Sequence, residues 1–452
     1  MALKRDSFAF TVFLGALTAL PPLSIDMGLP GLPAIESSFA DATGRGPLTL
    51  SLFLAGFAIS PLLCGPLADR FGRRMTLMIG LLLFALAAGA CALSTSFSML
   101  LVFRLLQGLA AGGCVILPFA IVRDLFEHDR ARNQLSKIAA VLGIAPMIAP
   151  VLGGWVMTVS GWRMIYAAQA ITGLVLLAVA TFGFQESLPA DKRRSLHPTQ
   201  LIASYRVILR DRTFVGYALV YAFAFACMFS FISGSPSVLM GSLGLSETTF
   251  SLLFGLTSCG VLIGSLISGR LSHRHVASRK ILTCGLLLMI ASTIAALALL
   301  PLGAVKITTL MPLVAVTIFS FGLLAPSTNH EALQNLPHVA GAAAGVMRCV
   351  QMVMGSFASA MIAVFEPFSH PALVMTGLMA FMALAAGAIY RPLPSQTDRT
   401  KRHCRRAFDE QSCRKSGGSH ERKNHRHHRR LRRAGASGGR DGHCPWRCRS
   451  GN

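Results

Sequence analysis

Gly65-Pro66-Leu67-Ala68-Asp69-Arg70-Phe71-Gly72-Arg73-Arg74 is a charged stretch caught between two long apolar runs, 47–68 and 74–95. Crossing the hydrocarbon core of a bilayer takes roughly 20 apolar residues per helix. Both flanking runs meet that length, so the segment reads as a short loop between two membrane helices. Gly65 and Gly72 permit the tight turn and the close helix approach that such a loop needs. Working outward, apolar runs broken by Gly, Pro and charge clusters recur as spans 8–29, 47–68, 74–95, 97–122, 135–159, 163–184, 213–235, 249–270, 281–301, 309–329, 340–364 and 371–390. The first run passes Leu20 without a small-residue cleavage site and reads as a retained helix.

The composition agrees with a polytopic membrane protein. Of 452 residues, 53% are hydrophobic and 13% charged, and the mean hydropathy is +0.57. That excludes a disordered chain, a disulfide scaffold and an ordinary soluble enzyme. The net charge of +23 divides unevenly, because residues 391–452 hold 18 Lys+Arg against 5 Asp+Glu. The excess therefore points to membrane topology plus a basic tail, and no nucleic-acid partner is expected.

Orientation follows from Lys and Arg. One set of loops carries 19 of them, from Lys4 and Arg5 through Arg70, Arg73, Arg74 and Arg123 to Arg279 and Lys280; the opposite set carries Arg45, Arg163 and Lys306. Both termini are expected in the cytoplasm and the span count is even. The longest connection, 185–212, divides the spans six and six. Its part 200–212 places Leu201, Ile202, Tyr205, Ile208 and Leu209 on one helical face, which fits a short interfacial helix or a plain linker. Gly65–Arg70 recurs weakly as Gly269–Arg274, 204 residues later, after the second span of the second half. The expected organisation is a six-helix half over 1–185, a central loop over 186–212, a second half over 213–393 and a tail over 394–452. Two repeated halves around a midplane site are a transporter architecture.

These residues resemble the major facilitator superfamily. Gly65–Arg74 matches its signature loop without a gap. Leu100, Arg104, Gln107, Gly108, Ala110 and Ala111 are similar to the span-4 motif of its proton-coupled members. Pro150 and Gly153-Gly154 are similar to its antiporter motif, with Ala145 and Ala149 where glycine is usual. Asp26-Met27-Gly28-Leu29-Pro30, Val122-Arg123-Asp124-Leu125-Phe126, Gly161-Trp162-Arg163 and Pro337–Gly341 narrow the resemblance to the Bcr/CflA (bicyclomycin- and chloramphenicol-type) multidrug transporters. The resemblance covers 8–393. It implies an all-α integral membrane fold of twelve helices in two six-helix pseudo-symmetric halves, and proton-coupled drug export.

The candidate residues follow. Asp26 sits late in span 1, where a charge costs about 2.5–3.5 kcal/mol near mid-bilayer, and is a candidate proton carrier; the alternative is a hydrated residue at the outer mouth. Arg104 in span 4 stays charged and needs a carboxylate, carbonyls or water. Asp26 is its expected partner, and Gln107, three residues on, is expected to share the network. Gly65, Asp69, Arg70, Gly72 and Arg73 form a candidate inner gate, although for Arg73 and Arg74 ordinary positive-inside charge explains as much. Pro146, Pro150, Gly153 and Gly154 mark span 5 as a bent, closely packed helix, set against the other half and suited to a conformational switch. Tyr217, Tyr221, Phe225 and Met228, with Phe57, Phe229 and Phe231, are candidates for an adaptable substrate cavity or for plain helix packing. Arg348 departs from the family pattern and has Glu331 and Glu366 as candidate partners; His330 and Glu331 read as surface residues.

The tail is polar and basic, without apolar periodicity, and suits an anionic lipid surface or out-of-frame sequence better than its irregular Cys and His spacing suits zinc. No metal site is expected. The sequence has no phosphate loop, His-Glu-x-x-His or Gly-x-Ser-x-Gly. The expectation is a secondary transporter rather than an enzyme, without cofactor and driven by the proton gradient. It is expected to be a monomer in the cytoplasmic (inner) membrane, taking a small amphipathic drug, protons and membrane lipids as partners. A metabolite exporter or an uptake symporter is the alternative, and a non-transporting receptor the remote one.

Overall fold

The computed structural model describes residues 7–189, 191, 193 and 198–393, which form fourteen α-helices and, among those residues, no strand. The first group is α1 (Phe8–Asp26), α2 (Leu32–Ser38), α3 (Leu48–Phe71), α4 (Arg73–Ala92), α5 (Phe97–Leu125), α6 (His128–Ser160) and α7 (Trp162–Gly183). Then come α8 (Pro198–Arg210), α9 (Arg212–Pro236), α10 (Glu247–His273), α11 (Ser278–Ala298), α12 (Ile307–Leu333), α13 (Ala340–Phe365) and α14 (Pro371–Tyr390). Twelve helical spans are long and apolar enough to cross a membrane; α2 extends the first of them, and α8 is the short helix of the central connection.

Local chemistry sets the ends. Ser7, Ser96 and Ser246 cap α1, α5 and α10 with side-chain hydroxyls, and the Asp211 carboxylate caps α9. Gly72, at φ +96°, separates α3 from α4, a backbone conformation that side chains resist. The largest boundary difference is in span 5. Its helix starts at His128, seven residues before the apolar run expected at 135, because the polar lead continues the helix beyond the apolar length and bonds back, with Thr11 Oγ1 donating to Gln134 Oε1 at 2.9 Å. In α8, Ile208 is buried and Tyr205 half-buried, whereas Leu209 is exposed and leaves the expected apolar face. The side chains of Leu201 and Ile202, and the tail 394–452, lie outside the described residues.

The spanning helices α1–α7 pack as one six-helix half and α9–α14 as the other. In the first half α3 lies on α5 and α4 on α7; in the second, α10 lies on α12 and α9 on α14. The halves meet along α3 with α13 and α6 with α10, which are equivalent pairs under the repeat. Glycine closes the α3–α5 and α10–α12 pairs. A Cβ at Gly108 would strike the Phe53 carbonyl, and one at Gly322 the Val261 carbonyl. The described ends, Ser7 and Leu393, and the arginine-rich loops share one side, here called the basic face; the other is the distal face.

Candidate functional site

The first half holds a buried polar chain. Arg104, on α5, is 1% exposed. Its Nε donates to the Thr49 carbonyl at 3.2 Å and its Nη1 to Gln107 Oε1 at 2.8 Å. The guanidinium lies over the rings of Phe53 and Tyr166, 4.5 and 5.5 Å from their centroids, which favours a cation where water is excluded. Gln107 Nε2 donates to Gln169 Oε1 on α7 at 2.8 Å. The Gln169 amide nitrogen is buried and has no partner.

Asp26 closes α1 and is 5% exposed. The expected Asp26–Arg104 ion pair is absent here. Thr49, Gln107 and two aromatic faces occupy the guanidinium instead, and among the described residues no hydrogen bond or ion pair reaches the Asp26 carboxylate. Gln107 lies where its three-residue spacing from Arg104 put it. Gln169 escaped sequence reading, although an amide in mid-span is itself a signal.

On the basic face Arg73 bridges two acids. Its Nη1 is 2.7 Å from Asp69 Oδ1, and its Nε donates to Asp124 Oδ2 at 3.0 Å. At 9% exposed, Arg73 is therefore no ordinary surface charge. The Glu186 carboxylate accepts from the backbone N–H groups of Arg73 and Arg74 at 2.9 and 3.2 Å, capping α4 where the helix dipole is positive. Arg74 Nη2 donates to the Thr181 carbonyl, and Arg70 lies over Phe71. Gly65 meets open space, whereas a Cβ on Gly72 would meet the Glu186 carboxylate. Asp69, Asp124 and Thr181 belong to the first half, and Glu186 opens the central connection. Asp124 and Glu186 were missed because each lies more than 50 residues from Arg73.

In α6, Pro146 is half-buried and Pro150 buried. Gly153 packs on the Met27 carbonyl, and Gly154 on Ser251 of α10. Gly255 returns the contact, facing the Met147 carbonyl. On the equivalent junction, Ser359 Oγ donates to the Pro47 carbonyl at 2.7 Å and Ser356 Oγ to the Ser51 carbonyl at 2.8 Å. The Gly154–Ser251 contact and the two serine hydrogen bonds lie toward the distal ends of their helices and join the halves there.

The aromatic candidates of α9 face into the second half, whereas Phe57 of α3 stacks on Phe53 in the first. The rings of Tyr221 and Phe225 lie 5.7 and 5.9 Å from Phe321 of α12, and Phe229 packs on Phe225. Tyr217 and Met228 are buried beside them. Phe231 stacks on Phe254 and is taken up in helix packing. A cavity of about 400 Å³ at the distal face is lined instead by Pro30, Pro33, Thr158, Met240 and residues 245–248. Arg348 Nη1 donates to Gln351 Oε1 at 3.3 Å rather than pairing with Glu331 or Glu366. Glu331, expected at the surface, is 4% exposed and accepts from Gln334.

A profile of the Major Facilitator Superfamily matches residues 7–360, and the chain belongs to that family. It is 30% identical over 389 residues to the uncharacterized MFS-type transporter YdgK of Bacillus subtilis, covering 85% of this chain and 95% of that one. It is 26% identical to a bicyclomycin resistance protein homolog of Haemophilus influenzae, over 80% of this chain and 90% of the other. It is 32% identical to multidrug resistance protein MdtL of Escherichia coli over 55% of this chain and 63% of that relative. These relatives agree with the Bcr/CflA-type resemblance. Among solved structures, a D-xylose-proton symporter superposes with a TM-score of 0.68 at 16% identity, over 86% of this chain and 99% of that one, which is a likeness of fold. The chain is thus a multi-pass membrane transporter.

Proposed function

We propose that this transporter is a proton-coupled drug antiporter, exporting amphipathic drugs across the cytoplasmic membrane by alternating access, with the basic face in the cytoplasm. The carrying observation is that the first half buries a carboxylate, Asp26, and a guanidinium, Arg104, with no ion pair to either among the described residues. An unpaired buried carboxylate is costly, and taking up a proton relieves it. In this reading Asp26 carries the proton and Arg104 with Gln107 senses its charge. The loop from Gly65 to Arg73 gates the basic face. The span-5 residues Pro146, Pro150, Gly153 and Gly154 form the moving seam against α10. Tyr221 and Phe225, with Tyr217 and Met228, supply an adaptable apolar wall for substrate. The proton gradient drives transport without a cofactor, and a monomer suffices because both coupling groups lie in one half. The resistance relatives support a drug substrate.

The test is an imposed pH gradient across inside-out vesicles holding the wild type or Asp26→Asn. Collapse of the gradient by several unrelated drugs, abolished by the substitution, is the expected result. No response to any drug overturns drug antiport and leaves the metabolite exporter or uptake symporter. Collapse that survives Asp26→Asn moves the carrier elsewhere.

A further inference from the structure

The polar chain has a direction that its first member imposes. Arg104 can only donate, so Gln107 Oε1 must be the acceptor. Gln107 Nε2 is then a donor, and Gln169 must present Oε1 to it. The Gln169 NH₂ is thereby left as the free end, buried and without an acceptor. Gln169 is 3% exposed and Gln107 is fully buried, so solvent does not complete the chain.

An acceptor of matching character stands at the same level of the half. Met27 packs in one apolar cluster with Ile165 and Ala149. Helix α1 runs toward the distal face and α7 away from it. Gln169, four residues beyond Ile165, therefore lies about 6 Å deeper along α7, and Asp26, one residue before Met27, about 1.5 Å deeper along α1, so the two stand within one helical turn in depth. The other carboxylates of α1 and α3–α7, namely Asp69, Asp124 and Asp129, stand at the basic-face helix ends. The titratable groups around the chain itself are Arg104, Tyr166 and Cys91. An orphan donor and an orphan carboxylate thus stand within one helical turn in depth, on helices that pack together. The α1 end is joined to α2 through Gly28, Pro30 and Gly31 and contains Pro21-Pro22, which gives it backbone freedom to turn.

We propose that Gln169 is a positioning residue of the coupling site, whose free amide N–H donates to the ionised Asp26 carboxylate in the alternate conformation and so ties Asp26 to Arg104 through Gln107. This rests on the reading of Asp26 as proton carrier. A protonated Asp26 is a weaker acceptor, so the link loosens when the proton binds. The charge of Asp26 thereby reaches Arg104 without direct contact.

Hydrogen–deuterium exchange on the full chain in lipid nanodiscs tests the link at a single pH, across four proteins: wild type, Asp26→Asn, Gln169→Met and the double variant. Asp26→Asn is expected to change exchange in 65–74 relative to 28–47 by about fivefold or more, the size of an ordinary coupling. Gln169→Met is expected to reproduce that change, and the double variant to add nothing, because both break one link. Wild-type exchange in Gln169→Met, beside a shifted Asp26→Asn, overturns the proposal. So does an additive double variant, the result of a merely structural role. Gln169→Asn, which withdraws the donor by one methylene, is a second variant subject to the same criterion. If Asp26→Asn itself exchanges like the wild type, the link has nothing to transmit and falls. Drug-driven proton flux tests the carrier reading separately.

Discussion

The stretches that close α3 and α10 begin at Gly65 and Gly269, 204 residues apart, and end differently. In the first, Gly72 breaks the helix, Arg73 joins Asp69 to Asp124, and Glu186 caps the next helix. In the second, α10 runs on to His273, Arg270 and Arg274 are exposed, and α11 starts without a side-chain cap. The helix packing on the two sides is nevertheless alike: α3 meets α5 as α10 meets α12, glycine against carbonyl in both. The repeat has kept its packing and, among the described residues, lost its ion pairs on one side. The reason is that a backbone-to-backbone approach tolerates no side chain, whereas a charged loop in water needs no partner.

Six substitutions sharpen that contrast. The largest effects belong to the shared packing. Gly108→Ala and Gly322→Ala should each destabilise the protein by about 3 kcal/mol, since the added methyl meets a carbonyl that cannot move aside. Thermal unfolding in detergent reads both, and a tolerated substitution in one half alone would break the equivalence. Next, Arg73→Ala should cost about 2 kcal/mol through its hydrogen bond to Asp124, with Asp69, nearly half exposed, adding little. Arg274→Ala should stay within about 0.5 kcal/mol in the same assay. Glu186→Gln should cost about 1 kcal/mol and speed amide exchange in the first turn of α4. The smallest change runs the other way: Ala277→Asp supplies the missing cap on α11 and should stabilise by about 0.5 kcal/mol.

The spans were legible because an apolar run of membrane length has few alternatives, and their order followed from the arginine-rich loops. That reading misplaced the start at His128 and the face of Leu209, and it read as loop the residues 65–71 that close α3 as helix before Gly72. There the polar composition hides a helix that continues past the apolar run, and periodicity alone does not say which helix face finds the bundle. The candidate site was legible residue by residue but not as a set of contacts. Arg104 was recognisable as a buried charge, and its three-residue spacing brought Gln107 with it. Its remaining partners are a backbone carbonyl, two rings and, one step on, Gln169 of another helix, 62 positions beyond Gln107. Arg348 is a similar case, bonded to Gln351 three residues along its own helix rather than to the distant carboxylates considered for it.

What the amino-acid sequence determined by itself is the class of molecule: twelve spans, a charged loop repeated after the second span of each half, and ionisable residues where lipid would otherwise be. Hydropathy and charge are local quantities that a bilayer sorts by length and sign. Tertiary structure alone decided which polar groups meet. It left Asp26 unpaired, turned Arg104 to Thr49 and Gln107, gathered Asp124 and Glu186 around Arg73, and set Ser359 against Pro47 across the halves. Those contacts depend on the packing distance between helices far apart in the chain, and hydrogen bonds reach only about 3 Å.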